Sequence, residues 1–115
     1  MRRGEICLVD LDPVRGAEAN KQRPAVIVSN NGANATATRL GRGVVTIVPV
    51  TSHVEQVFPF QALLPAQATG LSLDSKAQAE QVRSVAVGRI GQLLGSVPPT
   101  IMAEIDDAVR LHLSL

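Results

Sequence analysis

Apolar positions fall into short runs separated by polar stretches rich in glycine, proline and asparagine. Residues 5–11 alternate weakly and are rich in residues that favour strands, and Asp12-Pro13 stops them. Residues 14–22 are polar, contain Gly16 and predict a loop. Arg23-Pro24 then leads into Ala25-Val26-Ile27-Val28, a continuous aliphatic run typical of a strand buried on both faces. Pro24 suits the edge or the start of such a strand, because it has no N–H to donate. Residues 29–42 predict a second long loop, and residues 43–50, with five Val and Ile positions, the strongest strand. A loop over 51–57 precedes the alternation Phe58, Phe60, Ala62, Leu64, which predicts a strand with one buried face. Gly70 marks a turn. Residues 76–85 point two ways: Ala77-Gln78-Ala79-Glu80-Gln81 has helical composition, yet Ala77, Ala79, Gln81, Arg83 and Val85 keep a period of two. Residues 86–90 fit one helical turn, and Leu93-Leu94 a short extended piece.

The C-terminal pattern is plainer. Pro98-Pro99 precedes residues 101–113, where Met102, Ile105, Val109 and Leu113 form one apolar stripe with Glu104, Asp106, Asp107 and Arg110 on the other sides. An amphipathic helix packed on a sheet is expected, with His112 half-buried. Five or six short strands, few helices and long polar loops predict a mainly β fold, a small barrel with helical additions. At 115 residues with no repeat, the chain reads as a single domain spanning 1–115.

Composition narrows the chemistry. Phe58 and Phe60 are the only aromatic residues, so a nucleic-acid site could not rest on the aromatic platforms usual for single strands and would rely on arginines and backbone groups. Residues 1–50 carry seven basic and four acidic residues, a balance of +3; residues 51–115 carry four basic and six acidic, a balance of −2. The N-terminal half is the better face for an anionic partner. Cys7 is the sole cysteine, which rules out an internal disulfide and reads as a small buried hydrophobe. Asp10 and Asp12 interrupt the N-terminus before a signal h-region could form, and no membrane span is visible, so a reducing cytoplasm is the expected compartment.

No cluster has metal-ligand spacing, since His53 and His112 stand far apart and Asp10/Asp12 reads as a turn-initiating Asp-Pro. Phosphate-binding glycine loops, a dinucleotide fingerprint and a serine elbow are also absent. A metal-free ribonuclease makes other demands. The RNA 2′-hydroxyl is the nucleophile, and the protein must accept its proton, protonate the leaving 5′-oxygen and stabilise charge on phosphorus. Arg23, Thr51 and Glu18 are the right types: a guanidinium fork for phosphate oxygens, a hydroxyl donor and a carboxylate base.

The same residues carry a family likeness. Arg3-Gly4-Glu5-Ile6, Val9-Asp10-Leu11-Asp12-Pro13, Arg15-Gly16-Ala17-Glu18 and Arg23-Pro24-Ala25-Val26-Ile27-Val28-Ser29 resemble the MazF/PemK toxins of bacterial toxin–antitoxin systems. Val48-Pro49-Val50-Thr51-Ser52 is similar to that family's second motif, and Leu71 to Ser75 with Glu80-Gln81-Val82-Arg83 to its third, so the likeness spans nearly the whole chain. It implies an SH3-like or CcdB-like barrel with a C-terminal helix, working as a homodimer, and it favours the strand over residues 76–85. It implies a cytoplasmic, sequence-specific endoribonuclease that needs no metal or other cofactor. Such an enzyme cuts single-stranded RNA to a 2′,3′-cyclic phosphate and a 5′-hydroxyl. A MazE-like antitoxin with an acidic, disordered tail would neutralise it, and DNA would be reached only through that antitoxin. By the resemblance the catalytic arginine is Arg23 and the catalytic threonine Thr51, with Glu18 as the candidate base. Lys21, Ser52, Arg39, Arg42, Gln81 and Arg83 are candidate RNA contacts, and His53 a candidate proton shuttle beside Thr51. The sequence departs from the family at Cys7, where an aromatic is common, and at Ala19-Asn20-Lys21-Gln22, where a glycine is common. The alternative is a CcdB-like toxin that poisons DNA gyrase without cutting RNA, and a further reading is a module that mainly binds its antitoxin.

Overall fold

The computed structural model describes residues 1–11 and 22–115. The elements run β1 (Glu5–Asp10), β2 (Gln22–Ile27), α1 (Asn31–Leu40), β3 (Val44–Thr51), β4 (Gln61–Leu64), α2 (Ala66–Thr69), β5 (Ser75–Gln78), β6 (Arg83–Ala86), β7 (Ile90–Ser96) and α3 (Pro99–Leu113). Short 3-10 turns at Ala79–Gln81 and Val87–Arg89 flank β6. The strands form one antiparallel sheet in the order β4-β5-β3-β2-β1-β7, with β6 also paired to β3. Register shifts in the β1–β7 ladder mark bulges, which bend a sheet and increase its twist. The sheet wraps a cluster drawn from β1 to β5, and the result is the barrel-like, mainly β fold expected from the sequence.

Alternation explains the core. Val26 and Val48 point to one cluster with Ile6, Val50, Leu64, Ala77, Met102 and Ile105, beneath α3. Ala25, Ile27 and Ile47 point to the other, with Cys7, Val9, Val45, Val85 and Ala37 of α1. The aliphatic run in β2 is therefore buried on both faces, as its composition implied. Cys7 is a buried small hydrophobe. Helix α3 starts with Pro99 in its first turn and buries Met102, Ile105 and Ala108, whereas Leu113 and His112 are exposed, so His112 is not half-buried as expected. Arg3 fastens α3 to the sheet, with Nε donating to the Val28 carbonyl at 3.0 Å and the guanidinium paired to Asp106.

Three further expectations change. Residues 31–40, read as loop, form α1. Asn30 caps it by accepting from the Ala33 N–H at 2.8 Å, and Gly41 ends it in the left-handed region at φ 66°. The asparagine and glycine are thus helix punctuation and not loop filler. The strand expected over 58–64 is confined to Gln61–Leu64, and Phe58 and Phe60 stack on each other in the preceding turn, centroids 5.2 Å apart. The strand expected over 76–85 is split. β5 and β6 both pair with β3, but their register slips by three residues, the length of the 3-10 turn between them.

Candidate functional site

The site is built where the β2–β3 ladder ends. That ladder runs from Ile27↔Ile47 to Ala25↔Pro49 and goes no further. Pro49 has no N–H to continue it, and Pro24 stands at the same end. In the same register Arg23 lies opposite Thr51, two residues beyond the last rung. Each is held from its outer side instead: Arg23 pairs with Val9 of β1, and Thr51 with Lys76 of β5. Two side chains are thus fixed by separate neighbours across an opening that no ladder closes.

A cleft of about 540 Å³ lies at this opening, lined by Arg23, Pro24, Thr51, Ser52 and His53 on one side and Leu71, Ser72, Leu73, Ser75 and Leu94 on the other. Arg23 is exposed and, among the described residues, its guanidinium has no carboxylate or carbonyl partner. The Thr51 hydroxyl accepts from the His53 N–H at 3.3 Å, which leaves its own O–H to donate. A guanidinium fork without a partner among the described residues and a hydroxyl with its O–H left to donate, both lining one cavity, suit a phosphate, whose oxygens only accept.

The loop after Thr51 is anchored by a residue that sequence reasoning missed. Lys76 is buried, its Nζ donates to the Gln56 carbonyl at 2.6 Å and lies 5.9 Å from the Phe58 ring centroid. Gln61 adds a second anchor, accepting from the Phe58 N–H at 3.1 Å and donating to Glu80 at 2.7 Å. Segment 52–60 therefore leaves Thr51 on a defined course. Only the β3–β5 register, not the sequence pattern, reveals that Lys76 faces Thr51.

Arg23 also borders a second cleft, of about 360 Å³, with Leu11, Pro49, Gln78, Gln81 and Arg83. The structure thus gathers Arg23, Thr51 and Ser52 at one end of β3, and Gln81 and Arg83 share the second cleft with Arg23. Arg39 and Arg42 are not brought there. They stand at the end of α1 and just before Val44, at the opposite end of a strand about 23 Å long at 3.3 Å per residue. Glu18 and Lys21 lie outside the described residues, as does Asp12. Asp10 is beside Arg89, whose guanidinium donates to the Asp10 carbonyl at 3.1 Å and lies 3.9 Å from its carboxylate. No group of three or more His, Cys, Asp or Glu among the described residues could hold a metal ion.

Comparison with known proteins identifies the family. The family model of the PemK-like, MazF-like toxin of type II toxin–antitoxin systems matches residues 2–113. The chain is 63% identical to endoribonuclease MazF9 of Mycobacterium tuberculosis over 115 residues, all of this chain and 98% of that protein. It is 28% identical over 116 residues to endoribonuclease MazF of Staphylococcus saprophyticus, covering all of this chain and 92% of that one. A mycobacterial endoribonuclease solved in complex with its cognate antitoxin superposes with a TM-score of 0.75 at 26% identity, covering 100% of this chain and 96% of that one. The motifs around Arg23 and Thr51, the sheet that presents them and the match along almost the full chain lead to one conclusion: this protein belongs to the PemK-like, MazF-like toxin family of type II toxin–antitoxin systems.

Proposed function

We propose that the protein is an endoribonuclease toxin that cuts single-stranded RNA at short sequences without a metal. The observation that carries this is the convergence of Arg23 and Thr51, each held by a different strand, on one open cleft. The relatives named endoribonuclease support the same reading, and they favour it over a CcdB-like toxin acting on gyrase.

In this mechanism the RNA 2′-oxygen attacks the adjacent phosphorus and the P–O5′ bond breaks. The products are a 2′,3′-cyclic phosphate and a 5′-hydroxyl. Arg23 binds the non-bridging oxygens through two N–H groups and stabilises the charge that grows on them. Thr51 donates its O–H to the same phosphate, and Ser52 adds a hydroxyl at the rim. Glu18 is the candidate base for the 2′-hydroxyl proton, and His53, which lines the same cleft beside Thr51, is the candidate shuttle that gives a proton to the leaving 5′-oxygen. Lys21 and Arg83 would bind flanking phosphates, and Gln81 the RNA beside them. Arg39 and Arg42 could meet only a distant part of a long RNA.

The working unit is a homodimer in the cytoplasm, where the RNA substrate is. No helix among the described residues is long and apolar enough to cross a membrane. A cognate antitoxin with an acidic, disordered tail blocks the basic cleft, a partner supported by the antitoxin complex of the mycobacterial neighbour. DNA is reached only through that antitoxin.

The test is incubation of the purified protein with a long RNA in excess chelator. Discrete cleavage with 5′-hydroxyl ends, lost in Arg23→Ala and slowed in Thr51→Val, is expected. Intact RNA with the wild type, or equal cutting by Arg23→Ala, would overturn the mechanism.

A further inference from the structure

Arg23 belongs to two clefts of unlike chemistry. On one side leucines and serines face Thr51. On the other, two amide side chains, Gln78 and Gln81, stand between Arg23 and Arg83 over a floor of Pro49 and Leu11. Resting on the proposed endoribonuclease reading, we propose that Gln78 and Gln81 form the base-reading wall of this protein: the second cleft takes the base of one nucleotide flanking the scissile phosphate, and the two amides select it.

The fold brings both amides to the lining of one cleft. Gln78 is the last residue of β5, one step beyond the rung Val50↔Ala77, so it stands beside Pro49 on the face that carries Thr51 and Arg23. The 3-10 turn Ala79–Gln81 then lifts the chain out of the sheet and returns Gln81 to the same cleft, before β6 resumes with Arg83. An uninterrupted strand would have turned the two amides, three residues apart, to opposite faces of the sheet.

Their hydrogen bonds are also uncommitted. Gln61, on the neighbouring strand, has its amide engaged at both ends, by Phe58 and Glu80. Neither Gln78 nor Gln81 donates or accepts a side-chain hydrogen bond among the described residues. An amide offers a donor and an acceptor side by side, which matches the edge of a nucleobase, whereas a phosphate has only acceptors. The flanking guanidinium groups of Arg23 and Arg83 suit the phosphates on either side. A volume of about 360 Å³ lies at the small end of small-molecule sites and fits one base rather than a folded RNA element. Leu11 and Pro49, both in the lining, offer the base an apolar contact where no aromatic residue is present.

The experiment maps 5′-hydroxyl ends after partial digestion of a pool with randomised sequence, for wild type, Gln78→Met, Gln81→Met and Arg23→Ala. Methionine keeps side-chain length and removes the amide, and circular dichroism confirms that each variant is folded. The two glutamine variants should still cut, but the preference at one position next to the cut should fall by about tenfold or more, with other positions unchanged. Binding of a preferred RNA carrying a 2′-deoxy nucleotide at the cut should show the same loss of base preference. An unchanged preference at every position in both variants would overturn the proposal, as would a uniform slowing on all sequences. Cleavage by Arg23→Ala at the wild-type rate would instead count against the underlying mechanism.

Discussion

The two ends of the β2–β3 pair are both polar, yet they are organised in opposite ways. At the α1 end, Asn34 is fully buried and its side-chain amide is hydrogen-bonded at both ends. Its Oδ1 accepts from the Ser29 hydroxyl at 2.5 Å, its Nδ2 donates to the Ser29 carbonyl at 2.9 Å, and the Ser29 oxygen accepts from the Thr46 N–H at 3.1 Å. At the other end, Arg23, Gln78 and Gln81 face open clefts, and among the described residues their side chains are unmatched. Satisfied polar groups hold a fold together, because a buried orphan costs its full desolvation. Unsatisfied polar groups that converge on a cavity are better explained by a ligand. The α1 end is closed for stability, whereas the Arg23 end stays open among the described residues, as the proposed RNA site requires.

Four changes would break or sharpen that contrast. Arg23→Ala should lower the RNA cleavage rate by about 10²- to 10³-fold, as loss of a charge-stabilising donor does. Its unfolding midpoint should stay within about 0.5 kcal/mol of wild type, because the side chain is exposed. A variant that unfolds would show the open end to be structural after all. Ile105→Ala should do the reverse. It empties a fully buried position beneath the sheet and should cost about 2–5 kcal/mol in urea unfolding, with cleavage per folded molecule unchanged. Asn34→Ala leaves the Ser29 hydroxyl and carbonyl short of partners and should cost about 1–3 kcal/mol, again with normal cleavage by the folded fraction.

The smallest effect concerns Cys7. Burial pushes its thiol above the ordinary value of 9.0, with the Glu5 carboxylate adding to the rise. The folded chain therefore holds the proton more tightly than the unfolded chain. That contribution is complete below pH 9 and is lost as pH rises from there through the folded value. The urea midpoint of the wild type should fall more between pH 8 and pH 10 than that of Cys7→Ala, and a thiol reagent should label Cys7 only on unfolding.

The sequence made β2, β3 and α3 readable because their signals are local: an aliphatic run, a valine-rich run and a stripe behind two prolines. It hid α1 because Asn30 and Gly41 serve loops and helix caps alike, and only the Ala33 and Ser29 contacts decide between them. Arg23 and Thr51 were legible as residue types in motifs, but their meeting depends on a ladder that stops at Pro49. Lys76 and Gln78 were illegible, since their placement follows from β5 lying beside β3, a pairing across more than twenty residues of chain.

Gly95 gives the first cleft a hard stop. A Cβ built there would lie 2.2 Å from the Thr69 carbonyl oxygen, so β7 and the end of α2 touch backbone to backbone. Gly70 and Leu71, which follow Thr69, form the wall facing Arg23. β7 pairs with β1, and β1 with β2, the strand that carries Arg23. The wall and the arginine are thus joined through main chain, with no side chain acting as a spacer in between. Exchanging Leu71, Ser72 or Leu73 would change the lining of that wall, whereas any side chain at Gly95 would force Thr69 and the wall that follows it to shift. The width of the cleft rests on a main-chain contact, and its lining on side chains.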